Sequence, residues 1–287
     1  MLSALWASPS FALDPARLPS QLAHDSYGVR DGIPDGQVLS LRQAEDGSLW
    51  IGTSCCVLRY DGETFEVVSD GVLETNVFGH VRDFAKGSRG SLFSAAAGGL
   101  LEIQEGAMTL RSEAEGLSHP FVYSLLALPH GLLVGTGGEG LFLFAEGRFT
   151  RLEPRSRVRL PAHIHRIVRH KTGPIWIAGD DSLFQLSADL SELEAVPLPA
   201  GRGVRSLALT PSGRLLVGGT FGVLERKNDG RFVERVRNLR PEVMLEDRDG
   251  LLWIGTESGL YRAQNGRLEL VQRISTGVRA LLEDERG

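Results

Sequence analysis

The chain has 287 residues, 42% of them apolar and 23% charged, which excludes a wholly disordered polypeptide and is enough for one large domain with a sizeable core. A net charge of −5 gives no global attraction to nucleic acid or an anionic membrane, and no run of about 18 apolar residues is present to span a bilayer. Glycine is in excess, at 35 residues without a triplet period, so it marks many tight turns and a strand-rich chain.

From the N-terminus, residues 1–19 read as a separate segment. Met1 to Ala12 is apolar, rich in small residues and ends in Ser10, Phe11, Ala12, close to an A-x-A cleavage site but without a basic n-region. The reading is the remnant of a secretory signal or an N-terminal extension, with export favoured, followed by a single domain over residues 20–287. Lys86, Lys171 and Lys227 are the only lysines among 31 basic residues, a bias attributed to genomic base composition. The only cysteines, Cys55 and Cys56, are adjacent, which suits neither ordinary disulfide geometry nor a C-x-x-C zinc site.

A repeat of about forty residues organises the rest. EDGSLWIGT at Glu45–Thr53 returns as RDGLLWIGT at Arg248–Thr256, with degenerate copies between. Taking its glycine as register gives Gly47, Gly90, Gly131, Gly173, Gly213, Gly250 and Gly287, a period that means a solenoid, propeller or array. Nine residues before the glycine stand Val38, Val81, Val122, Ile164, Val204, Pro241 and Val278. Six before it stand Leu41, Phe84, Leu125, Ile167, Leu207, Met244 and Leu281.

Each unit reads as a first strand, a glycine turn, an LWIGT strand, a third strand such as Val57–Tyr60, a second turn and a fourth strand. The second turns are spelled Asp61-Gly62, Glu105-Gly106, Glu146-Gly147, Asp229-Gly230 and Asn265-Gly266, pairs that supply the positive φ of tight hairpins. Four antiparallel strands in about forty residues make a propeller blade. Helical repeats fail because no 3.6-residue apolar spacing persists and glycine interrupts every unit. Trp50, Trp176 and Trp253 are expected between blades, and Gly52, Gly135, Gly218 and Gly255 where backbones approach closely. The expectation is an all-β propeller, nominally seven-bladed: six complete units plus the opening strand of a seventh, incomplete at the C-terminus, with Ala23–Arg30 as the closing outer strand.

DGIPDGQVLSLRQAEDGSLWIGT followed by VLRYDGETFEVV resembles the two-component-regulator propeller repeat: Asp31-Gly32-Ile33-Pro34 matches its opening and Ser258-Gly259-Leu260-Tyr261-Arg262 its third strand. The resemblance is specific in the first and sixth units and weak between. It implies the periplasmic, ligand-sensing part of an inner-membrane receptor, preceding a membrane helix and a histidine kinase or diguanylate cyclase, and signalling as a homodimer. On that reading the chain is a truncated sensor, itself not an enzyme.

In a propeller the first strands line the central channel. The residues flanking their register aliphatics are polar and cationic, so His80, Arg82, Tyr123, His163, His165, Arg205, Arg240, Glu242 and Arg279 are candidate ligand contacts at the channel mouth. Converging guanidinium groups pair oxyanions bidentately, which points to a small-molecule or oligosaccharide ligand of anionic character. The bland reading of the same residues is a solvated rim paired with acids such as Glu242.

Other signals carry less. Arg151 to Lys171 is a basic run without interleaved aromatics, so no nucleic-acid partner is expected. His163 and His165 lack an evident third metal ligand, and no cofactor is expected. Gly135 to Gly140 satisfies G-x-G-x-x-G but precedes a strand pattern, so it offers no pyrophosphate site. Two alternatives remain. One is a propeller scaffold for protein contact through blade edges. The other is a sialidase-like glycoside hydrolase, against which Asp46-Gly47-Ser48-Leu49-Trp50 departs from the Asp-box spacing.

Overall fold

The computed structural model describes residues 25–68, 80–87, 90–104, 106–199 and 203–285. The signal-remnant reading of residues 1–19 lies outside them. Across the described residues the chain folds into six antiparallel sheets, each with its strands in sequence order, and only the fourth adds a further strand. The blades begin with inner strands Val38–Gln43, Asp83–Lys86, Val122–Leu128, Ile164–Arg169, Val204–Leu209 and Val243–Glu246. The second strands, Leu49–Thr53, Leu92–Ala96, Gly131–Thr136, Ile175–Gly179, Leu215–Gly219 and Leu252–Thr256, carry the LWIGT motif or its equivalent.

The repeat has a packing cause. A Cβ on Gly52, Gly135 or Gly255 would lie 2.5, 2.5 and 2.7 Å from a methyl group of Val81, Ile164 and Val278 respectively. The glycine of one unit therefore receives the aliphatic residue that opens the next. Between neighbouring blades lie apolar clusters joining blades 1–2, 2–3, 3–4, 4–5 and 5–6 in turn, with Trp50 and Trp176 in the first and fourth of them. Such layers are the main stabilising term for a repeat that cannot bury its faces alone. The hairpin reading holds at Glu146-Gly147 and Asn265-Gly266, where φ is 52° and 77°, and 51° and 77°, the signature of a type I′ turn.

Three expectations need correction. The described ring has six blades, because residues 274–285 form no strand. Val278 does keep the place of a first strand: its amide donates to Thr256 O at 2.8 Å, as Val81 donates to Thr53 O at 2.9 Å. Among the described residues no second strand lies beside it. The described part of Ala23–Arg30, residues 25–30, does not pair with the last blade; Tyr27 packs on Tyr60 and Phe65 of blade 1, ring centroids 5.8 and 5.3 Å away. Finally, the basic run Arg151 to Lys171, whose charge reads from the sequence as a solvated loop at the edge of the fourth blade, supplies a fifth strand to that blade, Arg155–Ser156, parallel to Glu192–Leu193.

Between blades 6 and 1 there is a cavity of about 540 Å³ in place of an apolar layer, lined by Leu41, Leu49, Tyr60, Leu245, Trp253 and Leu281 among others. Segment 278–285 runs along this gap and is bonded to both sides. Glu285 N donates to Gln43 Oε1 at 3.0 Å on blade 1, and Arg248 of blade 6 pairs with Glu283 at 3.6 Å.

Candidate functional site

The inner strands are irregular at one recurring place. In blades 1, 3, 4 and 5 the ladder to the second strand skips one residue directly after the register aliphatic: Leu39, Tyr123, His165 and Arg205 are each left without a partner. These are β-bulges, which re-aim the extra side chain. Val122, Ile164 and Val204 beside them are fully buried between blades. The bulged residues turn instead into an axial well of about 630 Å³.

That well is lined by His80, Arg82, Tyr123, His165, Arg205, Glu242 and Arg279 of the nine candidates, together with Gln37, Leu39, Asp83 and Arg166. His163 and Arg240 are not in its lining and are exposed. His163 precedes its strand and is held at the rim, its Nδ1 3.2 Å from Asp180 Oδ1 and its amide donating to the same oxygen at 3.1 Å. The two histidines of that strand therefore do not converge. Among the described residues no group of three or more His, Cys, Asp or Glu is placed to hold a metal.

The charges of the well are mostly matched. Arg205 lies 3.4 Å from Asp181, Arg279 pairs with Glu242 and lies 3.6 Å from Glu257, and Arg166 lies 3.2 Å from Asp83. Arg82 differs: among the described residues it makes no ion pair, and its guanidinium sits 4.6 Å over the Tyr123 ring centroid, a cation–π contact that holds it toward the axis. Burial, and then the Arg205 charge, push the His165 imidazole below its ordinary pKa, so at neutral pH it faces the well uncharged.

Asp83 and Arg166 were missed as site residues in the sequence, although Asp83 stands directly after Arg82. Its carboxylate accepts from the Ser124 hydroxyl and the Leu125 amide, both at 3.0 Å, and Ser124 Oγ in turn accepts from Ile167 N at 3.0 Å. This chain ties blades 2, 3 and 4 together at the floor of the well. Serines at the equivalent places bridge other blades, Ser40 Oγ donating to Val81 O at 2.8 Å and Ser206 Oγ to Pro241 O at 3.1 Å.

The fold and its bulge-lined axial well define a β-propeller of four-stranded antiparallel blades with a polar centre. The two-component regulator propeller model matches residues 32–55 and 238–258, so the chain carries repeats of that type in the units where the resemblance was specific. The extracellular domain assigned to the hybrid two component system BT4673 of B. thetaiotaomicron superposes with a TM-score of 0.75 at 19% identity over 88% of this chain. That of BT3049 from the same organism superposes with 0.74 at 17% identity over 91%. This chain spans 36% and 39% of those two extracellular domains. Virginiamycin B lyase from Staphylococcus aureus shares the fold at a TM-score of 0.64 and 13% identity, over 82% of this chain and 84% of its own. No curated protein matches the sequence. Among the described residues no helix is long and apolar enough to cross a membrane.

Proposed function

We propose that this propeller is the extracytoplasmic ligand-sensing domain of a bacterial signalling receptor of the histidine kinase or diguanylate cyclase type, and that it binds a small anionic ligand, such as an acidic or sulfated sugar, in the axial well. The observation that carries the reading is Arg82. An arginine facing a cavity without a carboxylate partner among the described residues, beside a neutral imidazole and an aromatic ring, supplies a bidentate donor for an oxyanion. The paired arginines contribute less, since a ligand must first displace their acids. The family repeats and the extracellular domains that share the fold support the extracytoplasmic setting. The domain's role is binding, with catalysis left to an output region elsewhere in the receptor.

The test is a thermal-shift screen followed by calorimetry, comparing sulfated and uronic-acid disaccharides with their neutral counterparts. Binding to the native state raises the apparent melting temperature in proportion to RT ln(1 + [L]/Kd). The acidic series is expected to bind and the neutral series not to, with Arg82→Ala weakening the best ligand at least tenfold. Equal binding of both series, or a hit unaltered in Arg82→Ala, overturns the axial-well reading. Product release from an aryl sialoside would replace it with the hydrolase.

A further inference from the structure

The third strand of each blade opens at a position paired with, or next to, the end of the LWIGT strand. In blades 2, 3, 5 and 6 this position is Gly99, Gly140, Gly222 and Gly259, with φ of 140°, 79°, 115° and 150°, values that side chains rarely adopt. In blade 4 it is Ser182, preceded by Asp180 and Asp181 at φ of 44° and 62°. Blade 1 departs from both solutions. Register with Gly52↔Val57 places Cys56 there, preceded by Cys55, and neither cysteine is in the left-handed region.

The turn that results is tightly held. Thr53 Oγ1 accepts from the amides of Cys55 at 3.2 Å and Cys56 at 3.0 Å, and the two Sγ atoms come within 2.9 Å of each other. Cys55 is half-buried and Cys56 buried. We propose that Cys55 and Cys56 form a reversible vicinal disulfide that does covalently, in blade 1, what left-handed residues do in the other blades. A local rule broken at one repeat out of six, by a pair whose sulfurs already touch, marks a position where chemistry takes over from conformation.

The chemistry is thiol–disulfide exchange with an external low-molecular-weight disulfide. The Cys55 thiolate attacks one sulfur of the oxidant, forming a mixed disulfide and releasing the first thiol. The Cys56 thiolate then attacks Cys55 Sγ, closing the eight-membered ring and releasing the second thiol. The two cysteine sulfurs are oxidised by two electrons, the external disulfide is reduced to two thiols, and the cysteine protons go to the departing thiolates. Exposure assigns the order, since only Cys55 is accessible for the first attack. A ring this small is strained and so more reducible than an ordinary structural disulfide.

Closure reaches the axial well through Ser54. Its amide donates to Gln37 O at 2.9 Å and its carbonyl accepts from His80 N at 3.1 Å, and both partners line the well. Redrawing the 53–57 turn therefore resets the lip at these two residues. The inference stands whether or not the ligand is an anion.

The experiment equilibrates the full chain with reduced and oxidised glutathione at a series of ratios, quenches with an alkylating agent and weighs the tryptic peptide spanning residues 43–59. The expected result is a peptide lighter by two hydrogens and closed to alkylation, lost again as reduced glutathione is raised, together with altered amide exchange at His80 in the oxidised form. Cys55→Ser is expected to remain alkylated throughout. Cys56→Gly, which installs the residue that blades 2, 3, 5 and 6 use, is expected to keep the native melting temperature while accumulating the mixed disulfide at Cys55. Two alkylated cysteines at every ratio in folded protein, or a disulfide joining two chains, overturns the proposal; unchanged exchange at His80 overturns its coupling to the well.

Discussion

Replacing Asp83 by alanine removes the acceptor at the centre of the three-blade tie beneath the well. The side chain is buried and accepts from the Ser124 hydroxyl and the Leu125 amide at 3.0 Å each, while Arg166 stands 3.2 Å away with much of its side chain in water. An unsatisfied buried donor costs roughly 1–3 kcal/mol, and the half-exposed ion pair adds at most about 0.5 kcal/mol. Ser124 Oγ still accepts from Ile167 N, but its hydroxyl hydrogen and the Leu125 amide both lose their acceptor. The sum is about 3 kcal/mol for Asp83→Ala, against about 1 kcal/mol for Asp83→Asn, which retains the one oxygen that accepts from both Ser124 and Leu125 and loses the one that faces Arg166. Urea unfolding followed by tryptophan fluorescence should show a lower midpoint at unchanged slope, and melting should fall by about 6–12 °C for alanine in a domain of this size. A loss under about 0.5 kcal/mol for alanine, or equal losses for the two variants, would refute the argument that this carboxylate joins blades 2, 3 and 4.

Gly222→Ala places a Cβ 2.0 Å from Val236 O at a φ of 115°, so a loss of about 2 kcal/mol or more is expected in a thermal melt, and a neutral result would contradict the register of blade 5. His165 is held below its ordinary value of 6.5 by burial and by Arg205, so the unfolded chain binds the proton more readily than the folded one. Stability should therefore fall as pH drops from 7 through 6.5 and below, and His165→Gln should flatten that part of the melting profile; an unchanged profile refutes the assignment. At the blade 5–6 junction burial alone would raise the fully buried Glu225 carboxyl, but the bonds from Lys227 and Arg235 and the charge of Arg214 outweigh it and hold the group below its ordinary value. Glu225→Gln takes the acid from Lys227 and leaves Arg214 and Arg235 sharing Glu246 alone, and should cost about 2 kcal/mol, discounted because each cation is partly solvated; a variant as stable as the parent at pH 7 would show the cluster to be neutral in effect.

The blades were legible because their packing repeats. Gly52 and Gly255 must be small for Val81 and Val278 to approach, so two positions roughly 23 to 29 residues apart are constrained together in unit after unit. Pro241 looks like a misfit in that register, yet the inner strand of blade 6 starts at Val243, and a residue ahead of the ladder loses nothing by lacking an amide hydrogen. Simple strand alternation was a poor guide to the well. The side chains of Tyr123, His165 and Arg205 reach it through bulges, and a bulge is a register event between strands that no single strand announces. Pairings were equally hidden: Arg205 finds Asp181 and Arg166 finds Asp83, each from another blade. The strand Arg155–Ser156 was obscured by its charge, since its Ser156 hydroxyl bonds Leu193 O at 2.7 Å while its arginine faces water.

The cavity between blades 6 and 1 also changes how the described ring should share its stability. Among the described residues five junctions are sealed by hydrocarbon and the sixth is spanned by segment 278–285, so thermodynamically the described blades behave as a row of nearest neighbours whose weakest link is that gap. Rows of that kind fray inward, which makes blades 3 and 4 the last to exchange their amide protons and blades 1 and 6 the first to yield under load.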